Sequence, residues 1–152
     1  MLKDRDFLYG AAILRLINFG SKVTVRHCHS FHNSLYYIES PKSCSVVLFK
    51  LSTKPTSAWQ FKFSNDEDNA LREISGKLTN KISLFLSFIC HKDGVCCISM
   101  EDLTQILDRA DDISGQSISV SRPPKGCYRV NGPGRKSLSR TIPQNNWPRI
   151  VL

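Results

Sequence analysis

Between Ile113 and Leu152 the chain has no aspartate and no glutamate. The same segment holds seven cations: Arg122, Lys125, Arg129, Arg135, Lys136, Arg140 and Arg149. The first 112 residues carry 14 Lys/Arg against 13 Asp/Glu, so nearly all of the formal charge of +8 sits in the last quarter. A one-signed segment on an otherwise neutral chain points to a polyanion or an acidic partner rather than to a general solubilising charge.

Long apolar runs are also lacking. Phe7–Phe19 is interrupted by Arg15 and Asn18, and Ile82–Cys90 has only nine residues; a bilayer span needs about 20. No membrane partner is therefore expected. Asp4 and Asp6 do not suit the positive start of a signal peptide, and Gly20-Ser21-Lys22 is a poor cleavage site. The sequence thus predicts a cytoplasmic protein, in which the six cysteines (28, 44, 90, 96, 97 and 127) are free thiols. A phosphate-binding glycine loop, a nucleophile elbow, an HExxH helix and an EF-hand loop are all missing. Gly132-Pro133-Gly134 cannot cradle a phosphate, because Pro133 removes an N–H donor.

With 152 residues and 41% hydrophobic content, the chain can build one domain with a packed core. A first helix is expected to about Phe19, capped by Asp4 or Asp6, closed by Gly20, and well buried because its apolar stripe is wide. Strands are expected at Lys22–Cys28, Leu35–Glu39, Cys44–Ser52 and Trp59–Phe63. The third is near-continuously apolar and so central, and the fourth alternates with Trp59, Phe61 and Phe63 on the core side. Ser64 or Asn65 caps a second helix with Asp66, Glu67 and Asp68 in its first turn. Ile82–Cys90 and Val95–Ile98 form a hairpin about Asp93-Gly94. Ser99 caps a third helix to about Arg109. Gln116–Arg122 is a strand with Ile118 and Val120 inward, followed by short strands near Tyr128 and over Lys136–Ile142.

The expected class is α+β: a single mixed or mostly antiparallel sheet with about three helices on it. Residues 1–112 form the core. Residues 113–152 form basic strands or an arm, packed on the same domain or extending from it.

Arg122, Lys125, Arg129, Arg135, Lys136, Arg140 and Arg149 can neutralise phosphates, and Tyr128 and Trp147 among them can stack on unpaired bases. The spacing Lys136, Leu138, Arg140 puts two cations on one strand face. No helix-turn-helix, zinc finger or aromatic RNA-binding signature accompanies them, so any contact is with phosphates and unspecific. His27, His29 and His32 in RHCHSFH are usable metal ligands, but the natural second pair of ligands is missing, so no metal and no cofactor is expected. Cys90-His91 is no nucleophile–base pair, since neighbours on a strand point to opposite faces.

The order helix, three strands, helix, strand over roughly residues 6–98 resembles the core of PD-(D/E)XK nucleases, and the third strand ends in lysine as Val46-Val47-Leu48-Phe49-Lys50. The stretch from Lys50-Leu51-Ser52-Thr53-Lys54 to Trp59-Gln60-Phe61-Lys62-Phe63 is also similar to small uncharacterised bacterial proteins. The nuclease resemblance implies an acid two residues before the lysine and an aspartate on the preceding strand. This chain has Leu48 at the first position and offers Asn33 or Glu39 for the second. The resemblance therefore implies a degenerate core without a Mg²⁺ site, whose Lys50, Lys54 and Lys62 could still face a phosphate backbone. The leading expectation is a non-catalytic protein that binds nucleic acid or a nucleoprotein complex through its basic C-terminal region. The alternatives are a protein–protein module for an acidic partner (an inhibitor, immunity protein or assembly subunit) and a divergent nuclease-like enzyme.

Overall fold

The computed structural model describes residues 1–19 and 22–152. Gly20, expected to close the first helix, lies outside the described residues, as does Ser21. Helix α1 (Asp4–Phe19) begins with the Asp6 carboxylate accepting the Lys3 backbone N–H at 2.8 Å. Strands β1 (Thr24–His27), β2 (Leu35–Glu39) and β3 (Cys44–Ser52) follow as an antiparallel meander. β4 (Trp59–Lys62) and helix α2 (Asn65–Lys77) carry the chain to β5 (Ile82–Cys90), which runs parallel to β3 along the full length of both strands. β6 (Gly94–Ser99) returns antiparallel to β5 and leads into helix α3 (Met100–Ile106).

These five strands form a mixed sheet in the order β1-β2-β3-β5-β6. β3 is central, as its unbroken apolar run predicts, because both faces are covered. Val46 and Leu48 enter the main core with α2 and α3, while Val47 and Phe49 enter a second core with Ala12 and Leu16 of α1. The fold is α+β with three helices. β4 leaves the large sheet and joins β7 (Ser117–Ser121) and β8 (Arg129–Asn131) in a smaller antiparallel sheet ordered β4-β7-β8. Trp59, Phe61, Ile118, Val120 and Val130 of the small sheet are buried in the main core against the large one.

The single sheet expected is instead two, and the strand expected over Lys136–Ile142 is reduced to isolated bridges, Asn131 to Ser137 and Tyr128 to Ile142. Two helices also differ from expectation. α1 is not well buried: Phe7, Leu14, Ile17 and Phe19 are exposed, because the helix is an outermost layer and only its Ala12–Leu16 side meets the sheet. α3 stops at Ile106 rather than Arg109. Leu107 is drawn into the core in an extended conformation. The Gln116 amide then serves the loop backbone, accepting from Asp108 N–H and donating to the carbonyls of Arg109 and Asp112.

The segment after Asp112 is built into both cores. Ile113, Ile118, Val120, Tyr128, Val130 and Ile142 belong to the main one, Trp147 and Val151 to the second. Ser43 Oγ donates to the carbonyl of Val151 at 3.1 Å, tying the chain end, with its final 3-10 turn (Arg149–Val151), to the start of β3.

Candidate nucleic-acid interface

Strand alternation decides which side chains the small sheet shows to solvent. With Trp59, Phe61, Ile118, Val120 and Val130 turned inward, its other face carries Gln60 and Lys62 of β4, Ser117, Ser119 and Ser121 of β7, and Arg129 and Asn131 of β8. None of its three strands contains an acidic residue. Lys62 pairs in register with Ser117, Gln60 with Ser119, Ser119 with Asn131 and Ser121 with Arg129. The two cations therefore sit at opposite corners of a field of hydroxyls and amides. From strand spacing and rise, their Cα atoms are roughly 16 Å apart.

The turns that follow β8 run beside this surface. Asn131 bridges to Ser137, and Leu138 N–H donates to the carbonyl of Val130 at 2.9 Å, so residues 136–138 run back along β8. Arg135 and Lys136 stand exposed at this bend, and Lys125 is exposed in the β7–β8 connection. Among the described residues none of Lys62, Lys125, Arg129, Arg135 and Lys136 is paired with a carboxylate. Asp108 borders the bend beside Gly134.

Other cations of the basic segment are occupied. Arg122 clamps Asp93 of the β5–β6 turn with two bonds, Nε to Oδ2 at 2.8 Å and Nη2 to Oδ1 at 2.7 Å. Tyr128 Oη donates to the same carboxylate at 2.8 Å, and the Gln144 amide donates to the Asp93 carbonyl at 2.6 Å. The Arg122 bonds hold the Asp93 carboxyl below the usual carboxylate range, and burial followed by the Asp93 bond pushes the Tyr128 phenol up. The alternation Lys136, Leu138, Arg140 has Leu138 packed on the main core, and Arg140 on that side reaches Asp102 of α3. Arg149 lies over the Phe19 ring, 5.4 Å from its centroid, away from the small sheet.

The two aromatics expected to stack on bases have no free ring face. Tyr128 is fully buried against Trp59, and Trp147 packs edge-on to Phe49 while its Nε1 donates to the carbonyl of Ala12 at 3.1 Å. Tyr128 belongs to the main core and Trp147 to the second, so both rings are packing material rather than stacking surface.

The lysines of the nuclease resemblance separate. Lys50 is sequestered: its Nζ meets Glu67 Oε1 at 2.6 Å and the Lys62 carbonyl at 2.8 Å, with both side chains about nine-tenths buried. Lys54 Nζ turns back on its own loop to the Ala58 carbonyl. Lys54 and Lys62 are both exposed, and of the three lysines only Lys62 has no side-chain partner among the described residues. Leu48, two residues before Lys50, is fully buried, and Asn33 lies in the β1–β2 loop.

The three histidines do not converge on one point. His27 Nε2 contacts the Asn33 carbonyl at 2.7 Å and its ring stacks on Tyr36, while His32 Nδ1 accepts the Ser34 N–H at 3.0 Å. His29 is exposed, its ring tilted against His27. Among the described residues no three His, Cys, Asp or Glu side chains form a metal-ligand group. Cys90, Cys96 and Cys97 are buried, and burial raises all three thiols, Cys97 to about 12, so none is a ready thiolate.

Sequence reasoning missed Asp93 and Glu67, which read only as a hairpin turn and a helix start. Their partners lie 29 and 17 residues away, and no local pattern marks them. The serine face was legible, since placing Ile118 and Val120 inward leaves Ser117, Ser119 and Ser121 outward. No helix among the described residues is long and apolar enough to cross a membrane. Comparison of the chain with protein-family models, with curated proteins and with solved structures finds no match.

Proposed function

We propose that this protein binds nucleic acid without catalysis, gripping phosphates on the outer face of the small sheet and the turns beside it. One observation carries the reading: an acid-free sheet face with Lys62 and Arg129 at its corners, with Lys125, Arg135 and Lys136 exposed on the adjoining turns, none of them paired with a carboxylate among the described residues. Serine hydroxyls and Asn or Gln amides are donors suited to phosphate oxygens. With no open aromatic ring on this face, contact is through the backbone and indifferent to base sequence. The test is single-stranded oligonucleotide affinity across a salt series. Log affinity should fall by about 0.7 per phosphate contact for each decade of salt. The double variant Lys62→Gln, Arg129→Gln should flatten the slope by about 1.4. Affinity that is flat with salt, or a slope the double variant leaves unchanged, refutes the reading. Cleavage with Mg²⁺ or Mn²⁺ that disappears in Lys50→Ala would replace binding by a nuclease function.

A second reading, a module for an acidic protein, has its own support. An apolar groove of about 260 Å³ lies between Phe19, Pro41 and Leu152, flanked by Lys22, Lys42 and Arg149. An acidic segment with one apolar anchor is complementary to it in both charge and shape. Binding of such a peptide that is lost in Lys42→Glu with Arg149→Glu, and untouched by changes at Lys62 and Arg129, favours this reading.

A further inference from the structure

Helix α1 meets the large sheet with one side only. Ala12 and Leu16 are buried and Leu8, Tyr9 and Ile13 half-buried, and together they set its inward direction. At 3.6 residues per turn, Phe7, Gly10, Ala11, Leu14 and Ile17 then fall on the outward side. All five are exposed, Phe7 by 62%, Leu14 by 57% and Ile17 by 50%. A lone exposed apolar side chain is ordinary, but three along one line of a helix form a surface suited to being covered. Gly10, at the middle of that line, has no use within the fold. A Cβ there would meet nothing within 4 Å, and glycine inside a helix is destabilising relative to alanine. Beside Ala11 it permits the close approach of a second helix.

The charges beside the stripe select that helix. Asp4 and Arg15 are three turns apart and stand on the same flank, within roughly 20° about the axis. Neither forms an ion pair among the described residues. The neighbouring charges are engaged locally: Asp6 accepts the Lys3 N–H, and the Arg5 guanidinium lies over the Tyr9 ring, 5.6 Å from its centroid. A two-fold axis between Gly10 and Ala11 lays two copies of α1 antiparallel. Phe7 then stands across from Leu14 of the second copy, and Asp4 comes beside Arg15 of the second copy, each contact occurring twice by symmetry. The helix dipoles oppose each other in the same arrangement. A lipid surface is a poorer match, because Asp4 and Asp6 stand at the helix start where an anionic membrane calls for cations.

We propose that this protein pairs with a second copy of itself through the outer side of α1, as an antiparallel two-fold dimer closed by Phe7, Leu14 and Ile17 and flanked by two Asp4–Arg15 pairs. The small sheet packs on the opposite face of the large sheet, so the pairing leaves both small-sheet faces open and does not depend on what they bind. A helix of 16 residues is about 24 Å long. Its footprint is smaller than a standard protein interface, which places the dissociation constant in the micromolar range.

Sedimentation equilibrium of the full chain, loaded from roughly 1 to 500 µM to bracket that range, reads the mass. It should rise from 17.2 kDa to twice that value and stop there. Leu14→Glu and Gly10→Gln alter exposed positions that the fold does not use, and each should raise the dissociation constant by about tenfold or more. Gly10→Gln should also leave the melting temperature of the dilute monomer equal or higher, since the helix gains propensity. Asp4→Arg alone and Arg15→Asp alone should each weaken the dimer about fivefold, and the double reversal should restore it. Rescue is specific to antiparallel pairing, because parallel helices would oppose like charges in every variant. The proposal falls if the chain stays at 17.2 kDa throughout or if its mass passes two copies. It falls equally if Leu14→Glu leaves the dimer unchanged, or if the double reversal does not restore what the single ones lose. A chain that stays monomeric but sediments with phosphatidylglycerol vesicles, and loses them in Leu14→Glu, would give the face to a lipid surface and overturn the dimer.

Discussion

Asp93 joins four parts of the chain through one side chain and one carbonyl, receiving Arg122, Tyr128 and Gln144 at the hairpin that ends β5. Because Arg122 holds its carboxyl below the ordinary value of 3.8, the charged form is favoured in the folded state. The sign follows from linkage: this stabilisation is fully present above 3.8 and is lost as pH falls through the lower, folded value. Asp93→Asn should therefore lower stability at neutral pH by about 1–3 kcal/mol, the cost of a broken charge-assisted pair. The loss should shrink in strong acid, where the wild-type carboxyl is itself protonated. Urea melts at pH 7 and in acid measure both, and an equal difference at the two pH values would remove Asp93 from this role. Gly132 is the other residue on which local geometry turns. A Cβ there would lie 1.8 Å from the Ile106 carbonyl, so the bend bearing Arg135 and Lys136 can close on the end of α3 only with glycine. Gly132→Ala should cost about 1–3 kcal/mol by overpacking, read as a fall in melting temperature. The turn was legible in Gly132-Pro133-Gly134, but the backbone it presses against, 26 residues earlier, was not.

At the scale of elements, α2 shows how much a local signal can carry and where it stops. Ser64 and Glu67 form a complete capping box: Ser64 Oγ accepts the Glu67 N–H at 3.1 Å, and Glu67 Oε1 accepts the Ser64 N–H at 2.9 Å. The sequence places this start correctly, because serine followed three residues later by glutamate is a local pattern. It does not reveal that the same carboxylate closes on Lys50 of β3. The two roles predict different costs. Ser64→Ala should remove about 1 kcal/mol, the usual cost of a lost cap. Glu67→Ala should remove about 3–5 kcal/mol, because it also leaves Lys50 charged and nearly buried without a partner. Chemical denaturation of the two variants checks the order, and equal losses would mean that the Lys50 pair contributes nothing beyond the cap. β3 and β5 were legible for a similar reason. Runs such as Val46–Phe49 declare two covered faces, whatever covers them. The departure of β4 to the second sheet was not legible, since Trp59, Phe61 and Phe63 alternate identically in either sheet.

At the scale of the whole molecule, the excess of positive charge is readable by counting, but the availability of each cation is not. Arg122 and Arg140 find acids 29 and 38 residues away, and only the assembled fold brings those together. The basic segment also turns out to be structural material. Its apolar residues complete the main core through Tyr128, Val130 and Ile142 and the second through Trp147 and Val151. Charge and packing are thus interleaved along one stretch, with the cations at the turns and on the outer face and the apolar residues between them. The two should separate experimentally. Replacing Lys125, Arg129, Arg135 and Lys136 together by glutamine touches only exposed, unpaired side chains, so stability should change by no more than about 0.5 kcal/mol per site. Oligonucleotide affinity, in contrast, should collapse at low salt. Ending the chain at Pro143 removes none of these cations but takes away Trp147 and Val151, uncovering the face of the large sheet between α1 and β3. Loss of a buried tryptophan alone costs about 3–5 kcal/mol, a large part of the stability of a single domain. The truncated chain should lose its cooperative thermal transition and its dispersed amide spectrum. A truncated chain that melts like the full one would mean that the last nine residues only decorate the fold, and a glutamine variant that still binds would move the nucleic-acid surface elsewhere.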